Sequence, residues 1–261
     1  MNRSRQLPFV ALVALAMFTL ALPAAAWGFG VSGSGKKASD TRTVGPFSRL
    51  QIDGSVDADV RVGPAQSVVV EGDDNLLALV RTETHGDQLQ ISNTESYNTR
   101  MGLRVRITVP RLDAIEVHGS GDVRAEGVHS DSLKVALAGS GDVTVKGTAD
   151  AVDVSVRGSG DVTVEDLASR TVEVSVKGSG DVRLRGTTGE LKVGVQGSGD
   201  VNCADLKGRT ATVLIQGSGD VEVFATESLD ATTSGSGNVT YGGNPPQVKH
   251  KSAGSGDLIK R

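Results

Sequence analysis

Four residues, Gly-Ser-Gly-Asp, recur through the second half of this chain at an almost constant spacing. Gly235 begins the variant Gly-Ser-Gly-Asn, and seven other glycines begin the motif itself. The seven are Gly119, Gly139, Gly158, Gly178, Gly197, Gly217 and Gly254. Successive units are 20, 19, 20, 19, 20, 18 and 19 residues long. A fixed period near 20 residues is typical of a solenoid, in which each unit buries its apolar face by stacking on its neighbours.

The interior of each unit has the two-residue period of β-strands. In residues 139–157, GSGDVTVKGTADAVDVSVR, valines alternate with polar residues on both sides of the turn-like KGTADA. We therefore predict an all-β fold, a parallel β-helix or β-solenoid with coils of about 20 residues and GSGD corners. Because long and short units alternate, a coil made of two units is an alternative. We prefer one unit per coil, since each unit already supplies about five inward apolar positions.

Superposing the units predicts which side chains point inward. Two columns of small and medium apolar residues emerge, one around Val145 and one around Val154. The first contains Ala125, Val145, Val164, Leu184, Cys203 and Val223, and the second Val135, Val154, Val174, Val193 and Val213. Cys203 is the only cysteine, so no intramolecular disulfide or multi-thiolate metal site can form. Its position in a core column predicts a packed side chain rather than a redox site.

Alternation continues through the repeated motif. It places Gly158 and Gly160 inward, and Ser159 and Asp161 outward. We expect glycine at the inward positions because the chain bends there and leaves no room for a side chain. The predicted structural corner consists of Gly119, Gly121, Gly139, Gly141, Gly158, Gly160, Gly178, Gly180, Gly197, Gly199, Gly217 and Gly219.

The aspartates of the motif form a column on the outside, at about 4.8 Å from coil to coil. Its members are Asp122, Asp142, Asp161, Asp181, Asp200 and Asp220. We expect these carboxylates to accept hydrogen bonds from turn N–H groups or from the serine hydroxyl. The alternative is a calcium ladder, although each motif supplies one acidic residue and calcium takes six to eight oxygens. A phosphate loop is excluded, because no motif continues into Lys-Ser/Thr or into a helix.

The sequence predicts no enzyme and no cofactor. His85, His118, His129 and His250 have no evident set of catalytic partners, and a repeated serine is not a nucleophile with one dedicated base. A solvated carboxylate ladder also lacks the differing environments that separate the acid and the base of a glycosidase. Aromatic residues make up 3% of the chain, which is few for a sugar-stacking groove.

The first 26 residues are typical of an export signal. Arg3 and Arg5 precede the apolar segment 9–22, and three alanines end at Ala26, after which we predict cleavage. An uncleaved membrane anchor is the alternative reading; after cleavage no membrane span is expected. The protein is therefore expected in the periplasm, at the cell surface or outside the cell. Loss of the two arginines takes the net charge from −4 to −6, which disfavours nucleic acid as a partner.

Residues 27–44 look like a flexible leader, rich in Gly, Ser, Lys and Thr. Residues 45–118 carry less regular alternating strands, and we expect them to form the degenerate opening coils and cap of a single domain over 45–261, with the regular repeats over 119–261. The segment DDNLLALV predicts one helical turn, capped by Asp73 or Asp74.

Serial GSGDV turns, the NLL segment, the entry VRITVPRLDAIEVHGSGDV and the signal resemble the bacterial family of auto-transporter adhesins with a head GIN domain. The resemblance implies an exported, β-helix-like domain over about residues 45–261. We expect a non-enzymatic binding or scaffolding module of the cell envelope, with an envelope protein or glycan as partner, and the family name implies adhesin-like binding. The alternatives are an envelope-stress or cell-wall accessory protein that binds another protein, and a carbohydrate-active β-helix enzyme.

Overall fold

The structure is a computed structural model that describes residues 30–261, so the predicted signal peptide and its cleavage site lie outside the described residues. The opening part contains a 3-10 helix, Leu77–Leu79, and ten strands. These are β1 Val31–Ser32, β2 Lys37–Arg42, β3 Arg49–Gly54, β4 Asp57–Val62, β5 Ser67–Asp73, β6 Val80–His85, β7 Gln88–Asn93, β8 Tyr97–Asn98, β9 Arg104–Val109 and β10 Ala114–Gly119.

The repeats form longer strands. They are β11 Val123–Gly139, β12 Val143–Gly158, β13 Val162–Gly178, β14 Val182–Gly197, β15 Val201–Gly217, β16 Val221–Gly235, β17 Val239–Gly242, β18 Gln247–Gly254 and β19 Leu258–Lys260. From β11 to β16 each strand pairs in parallel with the next, and Val143 lies beside Val162, one unit further along the chain. The prediction of a parallel β-solenoid with one unit of about 20 residues per coil is confirmed.

Each regular coil contains one bent strand, whereas the sequence pattern predicted two strands separated by a turn. Parallel pairing is present before and after the bend. The strand is therefore continuous, and only its register with the next coil shifts at the bend. In the shorter units it is made by Gly147 and Gly186, with φ of 148° and 134°. Two of the longer units place Gly127 (φ 75°) and Asp166 (φ 63°) there and take up the extra residue as a bulge.

The core lies inside the coils and consists of stacked aliphatic side chains. All members of the Val145 and Val154 columns are buried, as alternation predicted. Cys203 is fully buried in this stack. Each buried valine or leucine contributes about 1.5–3 kcal/mol to folding relative to an exposed one.

The glycine corners pack against each other from coil to coil. Gly158 has a φ of 130°, and a Cβ there would overlap the carbonyl oxygen of Gly139 in the preceding coil. A Cβ on Gly160 would overlap the carbonyl oxygen of Gly141 and would lie 3.0 Å from a methyl carbon of Leu137. The obstacle to a side chain is therefore the backbone of the neighbouring coil.

The opening strands do not stack in chain order. β3 and β4 pair in parallel with β10 and β11 on one side, and with the later strands β7 and β9 on the other. β5 then runs antiparallel beside β9, and β6 runs antiparallel beside β7. These antiparallel strands cover edges that would otherwise continue the parallel sheet outward.

Strands replace much of the flexible leader expected over residues 27–44. β1 pairs with β8, and β2 lies antiparallel to β5. Between them the backbone N–H of Gly35 donates to Oδ1 of buried Asp73 at 2.6 Å, and Asn75 bonds Ser34 N–H and the Ser32 carbonyl at 2.9 and 2.8 Å. Hydrogen bonds to Asp73 and Asn75 therefore hold residues 32–35 in place, and the composition of this segment does not predict them.

The predicted capping role of Asp73 and Asp74 is wrong. The short 3-10 helix has Leu76 at its N-cap position and no side-chain cap. Asp73 instead accepts hydrogen bonds from Gly35 and from the hydroxyl of Thr99, because the adjoining segment supplies donors closer than the helix does.

The corner packing predicts a large difference between two adjacent residues. Gly160→Val should lower the free energy of unfolding by more than about 3 kcal/mol, since the new side chain meets backbone atoms that cannot move independently. Ser159→Ala should cost less than about 1 kcal/mol, because Ser159 is exposed. Urea denaturation of both variants measures the difference, and similar costs would contradict the assigned orientations.

Candidate functional site

The aspartates of the corners form a continuous hydrogen-bonded ladder. Oδ1 of Asp142 accepts the backbone N–H of Asp161 at 3.1 Å, and Oδ1 of Asp161 accepts that of Asp181 at 2.9 Å. The same bond joins each further pair, with distances of 2.7–3.1 Å. The complete ladder contains Asp57, Asp122, Asp142, Asp161, Asp181, Asp200, Asp220, Asn238 and Asp257.

The ladder has a structural explanation. At each corner the carbonyl of the first glycine accepts two N–H groups of the next coil; Gly139, for example, accepts those of Ser159 and Gly160 at 2.9 and 3.2 Å. The following N–H, that of Asp161, bonds to the side chain of Asp142. The carboxylates therefore accept from turn N–H groups, as predicted, and these N–H groups belong to the corner of the next coil. Among residues 30–261 no group of three or more His, Cys, Asp or Glu side chains is arranged to hold a metal ion.

A second column, beside the bend, alternates in charge. Glu165 contacts Lys146 in the preceding coil at 2.9 Å and Arg185 in the following coil at 3.0 Å, and Arg185 approaches Asp205 at 3.7 Å. The hydrogen bond between Lys146 and Glu165, together with their mutual attraction, raises the pKa of the lysine and lowers that of the glutamate. Side chains in this column are thus neutralised by their neighbours along the solenoid axis.

A polar cluster lies on the outside of β3, β7 and β10. The Asp53 carboxylate accepts hydrogen bonds from Gln51 at 2.8 and 2.9 Å and from Gln90 at 2.6 Å, and it contacts Nδ1 of His118 at 2.9 Å. Burial by itself raises the pKa of Asp53, but the bonds from Gln90, Gln51 and His118 outweigh it and the net shift is downward. The cluster holds an ionised carboxylate on the solenoid wall.

Glu116 extends this cluster toward the regular coils. It accepts a hydrogen bond from Lys134 at 2.9 Å and lies 3.4 Å from Arg49. The bond from Lys134 lowers the pKa of Glu116, and this outweighs the opposing effect of burial. No sequence pattern predicts this cluster, because its members come from strands that are distant in the chain.

The remaining predicted candidates do not converge. His129 contacts the hydroxyl of Thr148 at 2.7 Å, and His85 lies 3.7 Å from Glu83. His85 and His129 are both far along the chain from His250, which lies in β18. His118 and His129 thus each contact one polar side chain, Asp53 and Thr148, which is not a set of catalytic partners. Burial raises the pKa of the Cys203 thiol to about 12, so this cysteine stays protonated.

A regular surface lies along the segments that precede the corners. We call it the long face and define it as the outward side chains of segments 134–138, 153–157, 173–177, 192–196 and 212–216. Its middle column is a trough of small, half-buried residues. They are Ala136, Ser155, Ser175 and Gly194, in register from β11 to β14. Exposed Leu214 ends the trough at β15.

Long charged side chains border the trough on both sides. In the two central coils Arg157 and Lys177 stand on one side and Asp153 and Glu173 on the other, and the second row ends in Lys134 and Lys192. In these two coils the trough offers a narrow strip of hydroxyl and backbone groups between a basic and an acidic border.

A shallow groove of about 400 Å³ lies at the opening coils, over β4, β9 and β11. Arg61, Arg106 and Arg124 line it together with Asp59 and Glu126. Arg106 is paired with Glu71 at 3.0 Å, which lies outside the groove. The groove is open and its charges are nearly balanced, so it selects neither cations nor anions strongly.

The comparisons with known proteins agree with this architecture. Residues 46–165 and 137–245 match the family described as "Putative auto-transporter adhesin, head GIN domain". This chain belongs to that family. No curated protein matches it, and residues 30–261 contain no helix with the length and apolar character needed to span a bilayer.

Solved structures resemble this GIN domain over most of its length. A putative lipid binding protein from Parabacteroides distasonis is 25% identical, with a TM-score of 0.80, and the match covers 88% of this chain and 99% of that one. A putative adhesin from the same species is also 25% identical, with a TM-score of 0.78 and coverages of 88% and 99%. A putative adhesin from Bacteroides fragilis, 24% identical with a TM-score of 0.69 and coverages of 88% and 100%, shows the same fold.

The ladder predicts which substitutions of its aspartates are tolerated. Asp161→Asn should change the free energy of unfolding by less than about 0.5 kcal/mol, because the amide oxygen still accepts the N–H of Asp181, as Asn238 does for Asp257. Asp161→Ala removes that acceptor and should cost about 1–2 kcal/mol. Urea denaturation of the two variants measures both values.

A calcium site at the ladder would instead make the stability of the protein depend on the ion. Binding would raise the melting temperature on addition of millimolar calcium and lower it in EDTA. We expect the two melting curves to coincide within about 2 °C, and a calcium-dependent rise of about 10 °C would contradict the acceptor role.

The carboxylates of Asp53 and Glu116 predict acid sensitivity. A pKa that is lowered by folding stabilises the protein above the unfolded value, near pH 4, and this stabilisation is lost as the pH falls toward the folded value. The free energy of unfolding should therefore fall between pH 6 and pH 3, and fall less in the double variant Asp53→Asn, Glu116→Gln. Asp131→Asn, at a largely exposed carboxylate, is the control. An identical pH dependence in the double variant and the unchanged protein would refute the assignment.

Proposed function

We propose that this protein is an exported, non-enzymatic binding module of the cell envelope that holds its partner along the long face. Membership of the GIN-domain family, and likeness to a structure named as an adhesin, support a binding role. Export is supported by the signal-like residues 1–26, which lie outside the described residues. The partner is an envelope protein or a glycan.

The trough of the long face carries this proposal. Its small residues keep the same outward position in four successive coils, so they form a strip at about 4.8 Å per coil that runs along the solenoid axis. An extended polymer that lies in the strip contacts backbone and hydroxyl groups of Ser155 and Ser175. The basic and acidic borders then bind opposite charges on its two sides.

A catalytic role has less support. Asp53 and His118 form the acid–imidazole pair of the polar cluster, but Ala138 occupies the next register position beside the imidazole. This pair therefore has no hydroxyl or thiol at that position for the imidazole to activate.

Lipid is a second candidate partner, because the similar Parabacteroides distasonis structure is named as a lipid binding protein. Large exposed hydrophobic side chains of the described chain are Met101, Leu214, Val248 and Ile259. They lie in the opening coils, on the long face and in the last coil, so they do not form one apolar patch. A protein or glycan partner is therefore preferred.

The trough can be filled without disturbing the core. Ser155→Arg with Ser175→Arg places two long side chains in the strip. The control, Thr144→Arg with Thr163→Arg, makes the same change at equally half-buried positions of the same two coils. These threonines lie on the short face, which we define as the outward side chains of segments 143–146 and 162–165. A glycan array, an envelope extract and lipid vesicles are presented to the unchanged protein and to both variants.

We expect one glycan class or one envelope protein to bind the unchanged protein and the short-face variant equally, and the trough variant at least about tenfold more weakly. Equal loss in both variants would place the binding surface elsewhere. Turnover of a polysaccharide would refute the non-enzymatic role, and binding to vesicles alone would favour lipid.

A further inference from the structure

The last coil of the described chain leaves one sheet edge unpaired. β18 pairs with β16, and β19 pairs with β17. Within residues 30–261 the strand registers pair neither β18 nor β19 with a second strand. One further strand can therefore pair with the N–H and C=O groups along this edge.

The corner of this coil also has two hydrogen-bond acceptors without a donor among the described residues, whereas the equivalent acceptors of every earlier corner have one. Gly235 accepts the N–H groups of Ser255 and Gly256 at 2.9 and 3.3 Å, and Asn238 Oδ1 accepts that of Asp257 at 3.0 Å. The equivalent acceptors one coil later are the Gly254 carbonyl and the Asp257 carboxylate, which receive no N–H from the described residues. They are arranged for a parallel strand.

The side chains of β18 differ from those of the earlier coils. His250 and Ser252 occupy the inward register positions of Ala231 and Thr233, and both are exposed. Lys249 and Lys251 stand at the outward positions. A strand beside β18 thus meets two lysines on its outer side and a mainly polar surface on its inner side.

The end of the solenoid differs in charge from the rest. The chain carries −4 in total, and the two arginines among residues 1–29 leave −6 for residues 30–261. Residues 247–261 contain Lys249, Lys251, Lys260, Arg261 and one acid, Asp257, which gives +3. Residues 30–246 therefore carry −9, and the basic end attracts acidic segments.

We propose that this edge binds an extended acidic segment of a partner protein, which adds beside β18 as a parallel strand. Its backbone N–H groups bond to Gly254 and Asp257, and two acidic side chains, two residues apart, lie beside Lys249 and Lys251. The column of Lys146, Glu165 and Arg185 already has this alternation from coil to coil. The surface is an edge, distinct from the long face.

A second copy of the chain is a poorer occupant. Two-fold pairing of β18 with itself is antiparallel, which brings the lysines of the two copies together and leaves the parallel corner acceptors unused. Lysine on an edge strand is a common means of preventing such self-pairing.

The chain supplies its own probe. A labelled peptide with the sequence of residues 171–182 and the change Ser175→Glu carries acids opposite Lys249 and Lys251, and retains the Gly-Ser-Gly-Asp donors. A second peptide has lysine at both acidic positions. Fluorescence anisotropy measures binding of each to the protein, to Lys249→Glu with Lys251→Glu, and to the control Arg183→Glu with Lys207→Glu, which makes the same charge change at exposed positions of inner coils.

The protein and the control should bind the acidic peptide at least about tenfold more tightly than the basic one, and the edge variant should reverse this order. Amide hydrogen exchange of residues 247–254 should slow when the acidic peptide binds. Equal affinity for both peptides, an edge variant with unchanged preference, or binding without slowed exchange would overturn the proposal. Failure of both peptides, with capture by anionic phosphatidylglycerol vesicles that the edge variant loses, would overturn it in favour of a membrane surface.

The test is independent of the function proposed for the long face. The trough variant Ser155→Arg with Ser175→Arg should bind the acidic peptide as the unchanged protein does. Loss of peptide binding in the trough variant would show that the peptide occupies the long face, which also overturns the edge proposal.

Discussion

Backbone contact between successive glycine corners sets the spacing and the register of the coils. Gly139 accepts two N–H groups from the coil above it, and the glycines of that coil lie so close that a Cβ would overlap a carbonyl oxygen. Aspartate completes the corner, since its side chain accepts the one N–H that follows. The Gly-Ser-Gly-Asp motif therefore pairs each corner with the corner of the next coil. It repeats because every coil requires the same close backbone contact.

Because the register is fixed, equivalent outward side chains of successive coils form columns. Like charges that are neighbours in a column repel each other. Unit charges about 4.8 Å apart in water repel by roughly 0.9 kcal/mol if they are alike. Lys146, Glu165 and Arg185 avoid this by alternation. The aspartate column keeps like charges, and each carboxylate there except that of Asp257 receives an N–H donor instead. In its two central coils the long face separates its charges into two borders with small residues between them.

The first and last coils of the described chain differ. At the opening end, β5 and β6 turn antiparallel and cover β9 and β7, while residues 31–37 are bound to Asp73 and Asn75. At the last coil the described chain has polar and basic residues on β18 and an edge without a paired strand. This asymmetry means that lateral and end surfaces can bind different partners.

The sequence by itself determined the regular part of this protein. Period, corner motif and alternation were sufficient to predict the parallel solenoid, one unit per coil, the buried columns and the place of Cys203, because each depends on a pattern repeated within about 20 residues. Only the tertiary structure decided the stacking of β7 and β9 outside β3 and β4, the contact of Asp53 with His118, and the binding of residues 31–37 to Asp73. These contacts join segments that are far apart in the chain and occur once, so no periodicity encodes them; they form because exposed edges and buried carboxylates need partners that the repeats do not supply.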